Sequence, residues 1–93
     1  MLEKTIENQL IQAVKRMGGR AVKFVSPGFN GMPDRMVLLP KGRIAFVEVK
    51  APGKKPRALQ VARIEMLRDL GFQVFVLDST KNIGEILDAI YTA

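Results

Sequence analysis

The sequence predicts an α/β fold with the element order α-β-β-β-α-β-α. Three observations carry that prediction. Apolar residues recur at helical spacing near both ends of the chain and between Leu59 and Leu70. Two short apolar runs flank the turn-forming Pro40-Lys41-Gly42, as in a hairpin. A further run, Phe72 to Leu77, sits between two helical segments.

The first helix is predicted over residues 2 to 17, where Leu2, Ile6, Leu10, Ala13, Val14 and Met17 fall on one face and Gly18-Gly19 ends the pattern. Ala21 to Val25 reads as strand one, followed by a loop dense in chain breakers, Ser26-Pro27-Gly28-Phe29-Asn30-Gly31-Met32-Pro33. Asp34 to Leu39 and Arg43 to Val49 are strands two and three of an antiparallel hairpin. Ala51 to Arg57 is interrupted by Pro52, Gly53 and Pro56, and so forms an exposed basic loop. Helix two then carries a buried stripe of Leu59, Ala62, Met66 and Leu70, closed by Gly71. Phe72 to Leu77 is apolar but for Gln73, the pattern of a central strand covered on both faces. Asp78-Ser79-Thr80 offers caps for a last helix through Ile83, Ile86, Leu87 and Ile90.

At 93 residues the chain is predicted to be a single domain, 1–93, for which a second subunit would add buried surface. Fifteen Lys and Arg against nine Asp and Glu give a net charge of +6, which favours polyanionic partners. With no cysteine and no histidine, disulfides, zinc–thiolate sites, thiol catalysis and imidazole bases are excluded. Any catalysis must run on carboxylates, lysine, hydroxyls or a metal. No signal-peptide core or membrane span is legible, so a soluble, cytoplasmic protein is expected.

Between Asn8 and Ile64 a dozen basic residues accompany only two acids, Asp34 and Glu48. Side chains alternate along a strand, so Glu48 and Lys50 share a face. That pair has a structural reading, an ion pair at a strand end. It also has a functional one, because the hairpin can set Asp34 beside Glu48. Two adjacent carboxylates repel unless a proton or cation lies between them. A hard ion such as Mg²⁺ would turn that repulsion into a binding site, with the backbone carbonyl of Val49 as a further oxygen ligand. Metal-assisted hydrolysis of nucleic acid fits two acids set in a basic surface.

Gly31-Met32-Pro33-Asp34, then Phe46-Val47-Glu48-Val49-Lys50 and Gln60, resembles the PD-(D/E)XK nuclease superfamily, in particular the stand-alone VRR-NUC domains of phages and prophages. The resemblance spans nearly the whole chain. It implies a restriction-endonuclease-like core with a mixed central sheet flanked by helices. It implies that Asp34 and Glu48 hold Mg²⁺ or Mn²⁺, that Lys50 positions or helps deprotonate the attacking water, and that Gln60 orients water or contacts phosphate. The family's first-helix glutamate matches Glu7, which lies within the apolar arc with Leu10, Ile11 and Val14, as a ligand through water or to a second ion. Glu3, in the first turn, reads as an end-of-helix charge. For Gln60 a partly exposed helical position is the competing reading.

The resemblance further implies a phage or prophage protein acting in the bacterial cytoplasm as a homodimer on four-way Holliday junctions, leaving 5′-phosphate and 3′-hydroxyl ends. A flap or nicking nuclease is the runner-up, and a non-catalytic DNA-binding module on the same scaffold is the alternative from another class. Lys54, Lys55 and Arg57 are candidates to grip the DNA backbone beside the cut, and Lys23, Arg35 and Arg43 extend the basic surface. Phe29 could wedge against bases or pack across a dimer interface.

Overall fold

The computed structural model describes residues 1–93. The elements run α1 (Glu3–Arg16), β1 (Arg20–Lys23), β2 (Arg35–Leu39), β3 (Arg43–Val49), α2 (Ala58–Asp69), β4 (Gln73–Leu77) and α3 (Ile83–Tyr91), in the predicted order. Short 3₁₀ turns at Pro40–Gly42 and Thr80–Asn82 close the hairpin and precede α3. Ser79 Oγ accepts the Lys81 N–H at 3.2 Å, so this cap serves the 3₁₀ turn rather than α3 itself.

The sheet has the order β1-β2-β3-β4. The first two pairings are antiparallel and β3–β4 is parallel, which makes the sheet mixed. A parallel pair needs a long crossover, and the basic loop with α2 supplies it. The alternation along β3 divides its neighbours cleanly. Ala45, Val47 and Val49 face α1 and α3, in a core with Ile6, Leu10, Val14, Ile86 and Ile90. Phe46 faces α2, against Ile64, Leu67 and Val74. Burial of one such aliphatic side chain stabilises by roughly 1.5–3 kcal/mol, so the larger α1–α3 core carries most of the fold's stability.

Three expectations are corrected. First, β4 is an edge strand and β3 is interior. Helices lie on both faces of β4, and an apolar run reports covered faces, not lateral position. Second, the buried stripe of α2 is Ile64 and Leu67 with Met66 half-buried, while Leu59, Ala62 and Leu70 are exposed. This helix carries rival apolar stripes, and packing on β4 selects one of them. Third, β1 stops at Lys23. Phe24 N–H still donates to the Asp34 carbonyl at 2.9 Å, after which Val25 turns to solvent.

The close passage of the α1–β1 turn against β2 depends on Gly19. A Cβ there would lie 2.1 Å from the Leu38 carbonyl oxygen, closer than any side chain allows. At the hairpin turn, Lys41 has φ +69°, the one non-glycine residue with positive φ.

Candidate active site

The site forms where β2 begins and β3 ends. The register Arg35↔Val47, carried on by one pair, sets Asp34 opposite Glu48 on the α2 face. Carried on once more, it sets Pro33 opposite Val49. The Val49 N–H donates to Asp34 Oδ2 at 3.1 Å, so Val49 turns its peptide groups toward β2, while the Lys50 N–H reaches the Leu77 carbonyl of β4 at 2.9 Å. On a strand, the N–H and C=O of one residue point to the same edge. The Val49 carbonyl therefore faces proline, which has no N–H to give it. One backbone oxygen is left available beside two carboxylates.

Glu48 is 1% exposed, the one charged residue in the buried interior. Its Oε2 accepts from Gln60 Nε2 at 2.8 Å and lies 3.3 Å from Lys50 Nζ. Its Oε1 is buried with no partner. Burial holds the Glu48 carboxyl above its ordinary range, the charge of Asp34 pushes it further up, and Lys50 pulls it back. A buried carboxylate oxygen without a well-formed hydrogen bond, opposite a second acid, is costly as it stands. The donor set is all oxygen, two carboxylates and a carbonyl, which suits a hard divalent cation.

Gln60 holds its place at both ends. Its Oε1 accepts the Arg57 N–H at 2.9 Å, which fixes the amide so that Nε2 points at Glu48. Asn30, Gly31, Lys50, Arg57, Leu59 and Gln60 line an open cleft of about 440 Å³ here. A larger groove of about 640 Å³ runs between α1 and α3, among Thr5, Asn8, Gln12, Arg16 and Thr80, and contains none of the predicted site residues.

The family profile of the VRR-NUC domain matches residues 1–81. The chain belongs to the VRR-NUC domain family. It is 51% identical over 88 residues to "Putative nuclease p44" of Acyrthosiphon pisum secondary endosymbiont phage 1, covering 95% of this chain and 94% of that protein. A solved structure described as a VRR_NUC domain superposes with a TM-score of 0.88 at 31% identity, covering 95% of this chain and 97% of the other. The mixed sheet with its flanking helices is thus the VRR-NUC form of a restriction-endonuclease-like fold. The family and the phage relative make this a nuclease domain. No helix is long and apolar enough to cross a membrane.

Asp34, Glu48, Lys50 and Gln60 are brought together where β2 begins and β3 ends, and the Val49 carbonyl with them. Glu7 is not, and no three acids converge anywhere in the chain. Glu7 Oε2 instead accepts from Arg35 Nε at 2.9 Å. The reason is the pleat: Arg35 follows Asp34 by one residue, so it points to the α1 face and meets Glu7 there. Arg35 also donates from Nη1 to the Ala21 carbonyl at 3.1 Å, and its side chain is only 16% exposed. It is a structural cation, not the free DNA contact expected of it. Lys23, Lys54, Lys55 and Arg57 are exposed, the last three beside the cleft in sequence. Sequence reasoning missed Arg63, which bonds the Asn30 carbonyl at 2.7 Å and stacks on Phe29 with Cζ 3.9 Å from the ring centroid. Nothing in the sequence distinguishes that arginine from Arg68 on the same helix.

Proposed function

We propose that this VRR-NUC chain is a Mg²⁺- or Mn²⁺-dependent DNA endonuclease that hydrolyses a phosphodiester as a homodimer, with four-way junctions as its substrate. The observation that carries the reading is Glu48: a buried carboxylate with one oxygen fully satisfied and the other orphaned, opposite Asp34 and next to Lys50. Asp34, Glu48 Oε1 and the Val49 carbonyl would hold the ion. When bound, the ion supplies Lewis acidity, making water acidic enough to attack at neutral pH and offsetting charge on the phosphate.

The chain's own residues do the rest. Gln60 locks the Glu48 carboxylate in one orientation, so Oε1 is the oxygen left to bind. Lys50 brings an ammonium to the same place, where it can orient water and stabilise the extra negative charge of the transition state. Glu7 enters through Arg35, bracing the start of β2 from the other face, and not as a direct ligand. Lys54, Lys55 and Arg57 attract the DNA backbone, with affinity that falls as salt rises.

Dimerisation is supported by the sheet face that α2 leaves partly open. Val22, Leu38 and Phe72 are 36, 37 and 39% exposed there, in line with the Phe24–Phe46–Phe72 edge-to-face row. Two symmetric sites would suit paired cuts in opposing strands.

The test incubates labelled four-way, flap and linear DNA with Mg²⁺, Mn²⁺ or EDTA, alongside Lys50→Ala. Ion-dependent junction cutting lost in the variant is the expected result. Cutting of flaps alone would replace the junction assignment with a flap nuclease. Ion-independent binding without cleavage would make the chain a binding module.

A further inference from the structure

We propose that Phe29 is a base-stacking platform at the lip of the reaction cleft, one face of its ring clamped by Arg63 and the other offered to an unstacked base of branched DNA. This rests on the nuclease reading above and deepens it by naming the part of the substrate that would make cutting selective.

The ring is held in place, not merely exposed. Phe29 is 41% exposed, yet the guanidinium of Arg63 lies 3.9 Å from its centroid, and Arg63 Nε is fixed by the Asn30 carbonyl at 2.7 Å. The Phe29 N–H closes a turn onto the Ser26 carbonyl at 3.1 Å. Two residues on, Gly31 lets the loop touch α2: with φ +89°, a Cβ there would lie 2.8 Å from Leu59 Cγ. A turn within the loop fixes the aromatic residue on its N-terminal side and contacts with α2 fix it on its C-terminal side, so little conformational freedom remains to be lost when a base arrives.

The position matters as much as the rigidity. Asn30 and Gly31, the next two residues, form one wall of the cleft that contains Lys50 and Gln60, and Leu59, 46% exposed, lies on the same wall. A base flanking a phosphate held in that cleft would therefore come within reach of Phe29. Aromatic rings stack on any base, and a guanidinium on the far face adds its charge to the stack. In a linear duplex both faces of each base are already covered, whereas a branch point leaves faces open. The platform would thus reward branched over linear DNA without reading sequence.

The experiment uses four-way junctions carrying 2-aminopurine at the branch, with wild type, Phe29→Leu and Phe29→Trp, whose folding is checked by thermal melting. Fluorescence is read in EDTA, and cleavage of junction and linear duplex is read with Mg²⁺. Wild type and Phe29→Trp should quench the probe, and Phe29→Leu should not. The junction-to-linear cleavage ratio should fall about tenfold in Phe29→Leu, which keeps apolar bulk but removes the π face, and should persist in Phe29→Trp. Absence of quenching by wild type overturns the platform. So does quenching by Phe29→Leu, or an equal loss on both substrates, which would make Phe29 only a dock for the loop. Quenching by wild type with no cleavage of any DNA would instead sink the nuclease reading and leave the platform standing.

Discussion

Gln60 donates its side-chain amide to Glu48 Oε2 over 2.8 Å, and the bond ties the first turn of α2 to the end of β3. Because the Arg57 N–H occupies the carbonyl end of the same amide, Gln60 cannot flip without leaving a donor facing a donor. The orientation of Glu48 is therefore set from a helix twelve residues further along the chain.

Gln60→Ala should lower stability by about 1.5–3 kcal/mol, the usual worth of a hydrogen bond to a charged group. It should also weaken Mn²⁺ binding, since Glu48 loses its fixed orientation. Thermal melting and calorimetric ion titration check the two effects separately. Unchanged ion affinity would reduce Gln60 to a helix-capping role.

The raised pKa of Glu48 has a definite sign. Its carboxyl titrates above its ordinary 4.5, chiefly through burial. The ion-free protein therefore holds that proton more tightly than the unfolded chain does. The resulting stability is full below 4.5 and is lost as pH rises through the elevated value. Metal binding requires the carboxylate, so ion affinity climbs over the same window. Glu48→Gln should abolish turnover, preserve DNA binding, flatten the pH dependence of ion binding, and melt higher than wild type at pH 8 in EDTA. Equal melting temperatures at pH 8 would contradict the cost assigned to the buried charge.

Lys50→Ala should slow cleavage by about 10²–10⁴-fold, the range for loss of a group that assists proton transfer. Lys50 also lowers the Glu48 pKa, so the variant should need higher pH to bind its ion. Lys50→Arg keeps the charge and should restore the pH of ion binding more fully than it restores rate. Kinetics and ion titration across pH separate the two.

Pro33→Ala restores an N–H opposite the Val49 carbonyl. The added ladder bond, about 1 kcal/mol, offsets the roughly 0.4–1 kcal/mol lost when proline no longer restricts the unfolded chain. The melting temperature should move little, while Mn²⁺ affinity falls several-fold as the new donor competes for the oxygen. Unaltered affinity would remove the carbonyl from the ligand set.

What could be read from the sequence follows from how local each signal is. Period and turn chemistry place α1, α3 and the hairpin, and the hairpin register alone brings Asp34 to Glu48. Lys50 then follows from alternation. The rest depends on contacts across long stretches of chain. Glu7 meets Arg35 from 28 positions away, and Arg63 meets the Phe29–Asn30 turn from 33 away, so neither partner is legible beforehand. On α2 the competition between apolar stripes is settled only by β4. The vacant acceptor at Val49 follows from Pro33, but only once the register is known.

The two faces of the sheet divide the work unequally. Fourteen buried residues gather on the α1–α3 side and only four under α2, where the acids, the cleft and Phe29 also lie. Apart from Gln60 and the Ile64–Leu67 stripe, a substitution on the α2 side therefore puts few buried apolar contacts at risk. Loss of chemistry and loss of the folded state should separate more readily in that hemisphere than in the one built around α1 and α3.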